Sequence, residues 1–286
     1  MSEAAVQAAT EAAAATPAHG AGETFNVTDL IMHHITDGHD IEIPFTSMKI
    51  HLPQIHLGGV DLSITRHIVM MWVACIILFV LAAVVAARRT SEPVPRGWRN
   101  VFEVFIRYIR DEIARKAIGH ETDKYLSYLL TCFFFIWTCN LVGLIPGMST
   151  ATSNIGVTAT LAILAFVMIH LAGIRQYGFA KHLKHQVPGG LPLWLYPIMI
   201  PVELLGLFTK PFALCIRLFA NMTAGHVVII GLISLIFILK SAWVAAVSVP
   251  FTLFIFVLEL LVCFIQAFIF TTLVATFIGM SVHPSH

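Results

Sequence analysis

Between Pro201 and Gly231 an otherwise apolar run carries Glu203, Lys210, Arg217, Asn221 and His226. Placing an ionised side chain at bilayer depth costs from about 2.5 kcal/mol on insertion scales to far more in simulations, so such a group is a functional candidate by default. The Arg217 guanidinium keeps its proton at every physiological pH. It cannot pass that proton on, but it can attract a carboxylate, hold it ionised and bar the passage of another cation. His226 and Glu259 can exchange protons near neutral pH once their surroundings tune them. A fixed cation with titratable groups toward either side suits a proton path interrupted at its middle.

Spacing sharpens this reading. Glu203, Lys210 and Arg217 are seven residues apart, and seven residues turn a helix by about 700°, so each lies only ~20° from the last. Asn221 lies about 40° from Arg217. Such a stripe must face a cavity, another helix or a partner subunit rather than lipid. Glu259 and Gln266, also seven apart, stand on the last apolar stretch. An antiparallel hairpin turning near residue 242 places Arg217 at the depth of Gln266, and His226 at the depth of Glu259. That predicts Arg217 beside the Gln266 amide and a hydrogen-bonded His226–Glu259 pair. Nine residues separate Arg217 from His226, about half a turn on an ideal helix. Either the two serve opposite faces, or Gly225 marks a local distortion. Plainer roles stand beside these. Asn221 and Gln266 can be interhelical glue, and His226 with Glu259 a structural pair. Lys210 can reach the inner interface, with Glu203 near an interface too. Asn140 is a weaker candidate, and His170 reads as structural.

The elements that must position these groups follow from composition. The chain is 58% hydrophobic and 12% charged, half the roughly 25% charged usual for soluble domains. With apolar runs of bilayer length, this is a polytopic all-α membrane protein. No basic, aromatic-interleaved patch points to nucleic acid. No GxxxxGK[ST] loop is present to bind ATP. Six of the fourteen histidines fall within residues 1–66, at His19, His33, His34, His39, His51 and His56. Their spacing matches no metal-ligand set, so no metal site is assigned. Cys75, Cys132, Cys139, Cys215 and Cys263 all lie in apolar segments and read as small buried side chains.

Residues 1–24, Ala-rich and without Lys or Arg, read as a disordered tail. Residues 25–66 read as an external acidic segment with short extended pieces near Glu42-Ile43-Pro44 and Met48–Leu52, and residues 67–286 as the membrane domain. Ile68–Ala87, Leu126–Ile145 and Ile155–Ile174 each span a ~30 Å hydrocarbon core. Two Lys/Arg precede the first span and nine follow it in residues 88–124, so the N-terminus is expected outside and the C-terminus in the cytoplasm. Within residues 98–118, Val101, Phe102, Phe105, Ile109 and Ile113 recur at helical spacing opposite Arg107, Arg110, Asp111, Arg115 and Lys116. That predicts an amphipathic helix on the cytoplasmic membrane surface, or one packed on a soluble partner. Pro201–Leu239 and Pro250–Met280 are roughly 58 and 46 Å as helices. Both exceed the core, which predicts a steeply tilted hairpin turning at Lys240-Ser241-Ala242-Trp243. The expectation is five membrane-crossing helices plus one surface helix.

The run Arg217-Leu-Phe-Ala-Asn221-Met-Thr-Ala-Gly225-His226 is joined by Glu203-Leu-Leu, Asn140-Leu-Val-Gly-Leu-Ile-Pro146 and Gln266-Ala-Phe-Ile-Phe. Together they resemble the signature of subunit a of bacterial F-type ATP synthases, over about residues 60–282. The resemblance implies a proton-translocating stator in the inner (plasma) membrane, not catalytic on its own and without a cofactor. Two aqueous half-channels would serve a rotating c-ring, with Arg217 separating them. His226 and Glu259 would line the outer path, helped by Asn221, Asn140 and Gln266, with Glu203 near the inner one. Partners implied are the c-ring, b-type peripheral stalk subunits, the soluble ATPase sector and membrane lipid. His226 and Glu259 stand exchanged relative to some bacterial members, an arrangement also found in the family. Gly143 and Met148 stand where some members carry aspartates, so a carboxylate-rich outer channel is not expected. The alternative is a self-contained secondary transporter or proton channel, which would call for broken helices and often inverted repeats. No convincing repeat is present, and five spans do not divide evenly.

Overall fold

The structure, a computed structural model, describes residues 65–87, 97–145, 148–179, 181–182 and 196–283, together with four short strands between residues 40 and 61. The Ala-rich tail, His19, His33, His34, His39 and the basic stretch 88–96 lie outside the described residues. Strand β1 (Asp40–Glu42) pairs antiparallel with β2 (Lys49–His51), setting Ile41 opposite Ile50, and β3 (His56–Leu57) pairs with β4 (Val60–Asp61). The extended pieces expected before the membrane domain therefore form.

Five helical stretches among the described residues are long and apolar enough to cross a membrane. Helix α1 (Arg66–Ala87) comes first. Helix α2 (Trp98–Tyr108) runs through a π-helical turn at Ile109–Ala114 into α3 (Arg115–Ile118), and a short 3-10 turn leads to α4 (Thr122–Gly143). Helix α5 (Ile155–Tyr177) starts at Asn154, whose Oδ1 accepts the Gly156 N–H at 2.7 Å and so caps the first turn. Helices α6 (Tyr196–Leu239) and α7 (Ala242–Val282) have 44 and 41 residues. At 1.5 Å per residue each is over ~60 Å, about twice a ~30 Å hydrocarbon core. Both are therefore longer than their apolar runs suggested, and neither breaks at Pro201, Pro211 or Pro250.

The amphipathic segment packs as its periodicity requires. Ile109, Ile113, Ala114 and Ile118 are buried, and Phe102 and Phe105 pack against the core. Charged side chains on its other faces pair with one another: Glu103 with Arg107, Asp111 with Arg115, Glu112 with Lys116. Val101, the first residue of the expected stripe, is instead 44% exposed. The Phe105 ring centroid lies 5.3 Å from that of Trp137 on α4 and 5.9 Å from that of Phe264 on α7. Tyr108 meets Phe268, and Ala117 meets Gly279. The segment thus follows the last helix rather than touching it at one point.

The long hairpin closes where Lys240 takes a positive φ of 44° and Ser241 is extended. Ser248 Oγ donates to the Leu232 carbonyl at 2.6 Å and locks the two arms. At the far end Tyr177 OH donates to the Val282 carbonyl at 2.7 Å and Ser281 Oγ to the Ile169 carbonyl at 3.0 Å, tying α7 to α5. All five cysteines are free; four are buried as expected, whereas Cys75 is exposed on α1. The reason is that apolar composition does not tell a face turned to neighbouring helices from one turned to lipid.

Gly279 admits a close backbone contact. A Cβ there would lie 1.9 Å from the Ala117 carbonyl oxygen. Gly279→Val should therefore cost about 1–3 kcal/mol through overpacking, read as a lower thermal midpoint of the detergent-solubilised protein. Gly231→Ala, where nothing lies within 4 Å, should be neutral or gain about 0.5–1 kcal/mol in helix propensity. Equal midpoints for the two variants would remove this contact from the account.

Candidate functional site

Polar side chains from several elements lie along one region. Helix α6 contributes Asn221 and His226, and α7 contributes Glu259 and Gln266. The end of α4 contributes Asn140, and the 148–154 connection contributes Thr150 and Thr152. Asn221 Nδ2 donates to Gln266 Oε1 at 2.8 Å, and Gln266 is 2% exposed. The partner of Gln266 is thus Asn221, not Arg217 as the depth match had predicted. Equal depth says nothing about which way each side chain points around its own helix. Asn221, Met222 and Gly225 of α6 meet α7, and Arg217 is half-buried.

The predicted His226–Glu259 hydrogen bond is also absent. Glu259 is 3% exposed, and neither of its carboxylate oxygens has a hydrogen-bond partner. It lies against Gly225: a Cβ there would come 2.2 Å from Glu259 Oε1. The missing side chain at Gly225 makes the hollow that the carboxyl group fills, one residue from His226. The two side chains predicted to pair are not hydrogen-bonded to each other. His226 Nε2 instead meets Thr150 Oγ1 at 2.5 Å. A buried carboxyl group without a hydrogen-bond partner is costly to maintain.

Thr150, 1% exposed, is the hub that the sequence reading missed. Its carbonyl oxygen lies 3.0 Å from Nδ1 of His67, itself 1% exposed at the start of α1. A carbonyl only accepts, so Nδ1 of His67 carries the proton. Two residues on, Thr152 Oγ1 donates to Asn140 Oδ1 at 2.6 Å, and Asn140 Nδ2 is buried without a partner. Thr223 Oγ1 is likewise buried and unpaired. A cavity of ≈ 30 Å³ opens here, lined by Ser149, Thr150, Ser153, Thr223 and His226 among others; it has room for a water molecule. The density of Ser and Thr in the uncharged 149–153 stretch was the one available signal. His67 gave none, because nothing in the sequence links the start of α1 to that loop.

Arg217 stands apart from this cluster. Among the described residues no carboxylate reaches ion-pair distance of its guanidinium. Long apolar side chains near it on α6, Phe212 at 64% and Ile216 at 36%, stay exposed, as do Phe254 and Val257 on α7. Lys210 places Nζ 5.1 Å over the Phe277 ring, a cation–π contact that holds its ammonium. Glu203 is half-buried and has no ion pair among the described residues. Toward the other end of α5, His170 Nδ1 and His182 Nε2 lie 3.0 Å apart beside Phe166.

Comparison with known proteins follows the same lines. The family model described as ATP synthase A chain matches residues 68–279. A protein of Chloroherpeton thalassium named ATP synthase subunit a is 50% identical over 260 residues, covering 89% of this chain and 77% of its own. One of Myxococcus xanthus with the same name is 51% identical over 237 residues, 82% of this chain and 78% of its own. A Chlorobium luteolum protein named ATP synthase subunit a 2 is 49% identical over 286 residues, 98% of this chain and 82% of its own. With most of its length matched by that family model and by relatives at half identity, the chain belongs to the ATP synthase A chain family.

Proposed function

We propose that this chain is the proton-conducting stator of an F-type ATP synthase membrane sector, offering two aqueous half-channels to a rotating c-ring. The observation that carries the reading is Arg217: a permanent charge on a membrane-length helix, half-buried, with no counter-ion among the described residues. Such a charge is tolerated at depth when something supplies the missing anion. Carboxylates on a passing ring would do so in turn, each held ionised only while it faces the guanidinium. The uncovered apolar side chains of the two long helices are the surface against which such a ring would turn.

Protons would come from outside through the cavity beside His226, reach Glu259, and cross to a ring carboxylate past Asn221 and Gln266, with Asn140 ordering the loop. After nearly a full turn they would leave toward the cytoplasm past Glu203, with Lys210 at the inner interface. Arg217 blocks the direct route because it repels a proton and cannot carry one. One elementary charge crossing 100 mV releases about 2.3 kcal/mol, so several must be summed through rotation. ATP chemistry then belongs to the soluble sector, with b-type stalk subunits holding the stator still. The reading places the chain in a bacterial inner membrane with its N-terminus outside and C-terminus in the cytoplasm.

Two measurements test this. Arg217→Ala should leave the complex assembled and abolish ATP-driven acidification of inverted vesicles, and normal coupled pumping in that variant refutes the barrier. Single cysteines at positions 203 and 226, in a background without native cysteines, should react with membrane-impermeant thiol reagents from opposite sides. Position 203 should be labelled from the cytoplasm, and labelling of 203 only from outside overturns the orientation.

A further inference from the structure

Thr150 belongs to no role considered so far, yet three independent contacts fix it. Its hydroxyl oxygen lies 2.5 Å from His226 Nε2. Its carbonyl accepts from His67 Nδ1 at 3.0 Å. Its Cα, Cβ and Oγ1 fill the hollow left by Gly143, where an added Cβ would sit 1.9 Å from Oγ1 and 2.7 Å from Cα. Each contact comes from a different helix: α6, α1 and α4. A residue clamped this way on its backbone has its hydroxyl aimed by the fold rather than by chance. The same side chain also lines the cavity with Ser149, Ser153 and Thr223, so one face of the hydroxyl meets the imidazole and another meets space for water.

We propose that Thr150 is the relay through which a proton passes from water in that cavity to His226. This rests on the reading of His226 and Glu259 as the outer proton path. A hydroxyl has one hydrogen to give and two lone pairs to receive. In the step, Oγ1 takes a proton from hydronium in the cavity, leaving water. It releases its own hydrogen to Nε2 of His226, which becomes imidazolium, and the hydroxyl is regenerated with the new proton. No charge stays on Thr150. The Gly143 hollow is what lets the hydroxyl reach this place: a side chain at position 143 would push Thr150 away from the imidazole.

The test is passive proton conduction through the membrane sector of the assembled complex, after removal of the soluble ATPase, normalised to assembled complex by the ATPase activity bound before stripping. Thr150→Val keeps the shape and the carbonyl bond to His67 but removes the relay, and should lower conduction about tenfold or more. Thr150→Ser keeps the hydroxyl and should conduct at more than about half the original rate, as expected of a conservative exchange that retains donor and acceptor. Thr150→Ala makes room for water to stand in for the hydroxyl and should fall between the two. A purely structural role predicts Thr150→Val above Thr150→Ala, because alanine leaves the larger packing defect. Conduction of Thr150→Val at the original rate, or of Thr150→Ala below Thr150→Val, overturns the relay. Glu259→Gln run alongside separates the two levels. If it blocks conduction while Thr150→Val does not, the relay alone falls; if it conducts freely, the outer path itself is wrong.

Discussion

Everything in this chain answers to the cost of polar and charged groups in hydrocarbon. A bilayer offers no water to satisfy a stray donor, acceptor or charge. Each polar side chain at depth must therefore find a partner within the protein, line a wet space, or wait for something to arrive. Gln266 with Asn221, and the Asn140 side-chain oxygen with Thr152, take the first course. Thr150 and His226 line a cavity as well as meeting each other. Arg217 has no ion pair and Glu259 no hydrogen-bond partner among the described residues.

The architecture serves this division. Two helices of about twice the bilayer's thickness lie together, clamped near the turn by Ser248 and farther along by Asn221. Close approach at Gly225 sets the buried carboxyl beside the imidazole-bearing turn. Helices α4 and α5 bring the connecting loop against α6 from one end, and α1 fastens that loop through His67. Aromatic packing of Phe105, Phe133, Trp137 and Phe264 makes the rigid wall behind it. The polar cluster is thus held largely by aromatic and apolar packing, and many apolar side chains of the hairpin stay uncovered by the described residues.

Much of this was written in residue types and intervals. Apolar run lengths foretold the five long helices and the oversized hairpin, because hydrocarbon thickness and helical rise leave little choice. The seven-residue interval put Glu259 and Gln266 on one face of α7, and both are buried. Motif likeness pointed to the family before any coordinate was known. What sequence could not supply was direction around a helix axis. Depth matching put Gln266 opposite Arg217 and joined His226 to Glu259. The fold turned Asn221 to Gln266, Thr150 to His226, and left Glu259 pressed on the space where Gly225 has no side chain. Such choices depend on angles between helices and on glycine-sized gaps, which arise only when distant segments meet. A one-dimensional pattern settles which groups must leave lipid and at what depth they sit; three-dimensional packing settles which group each of them touches.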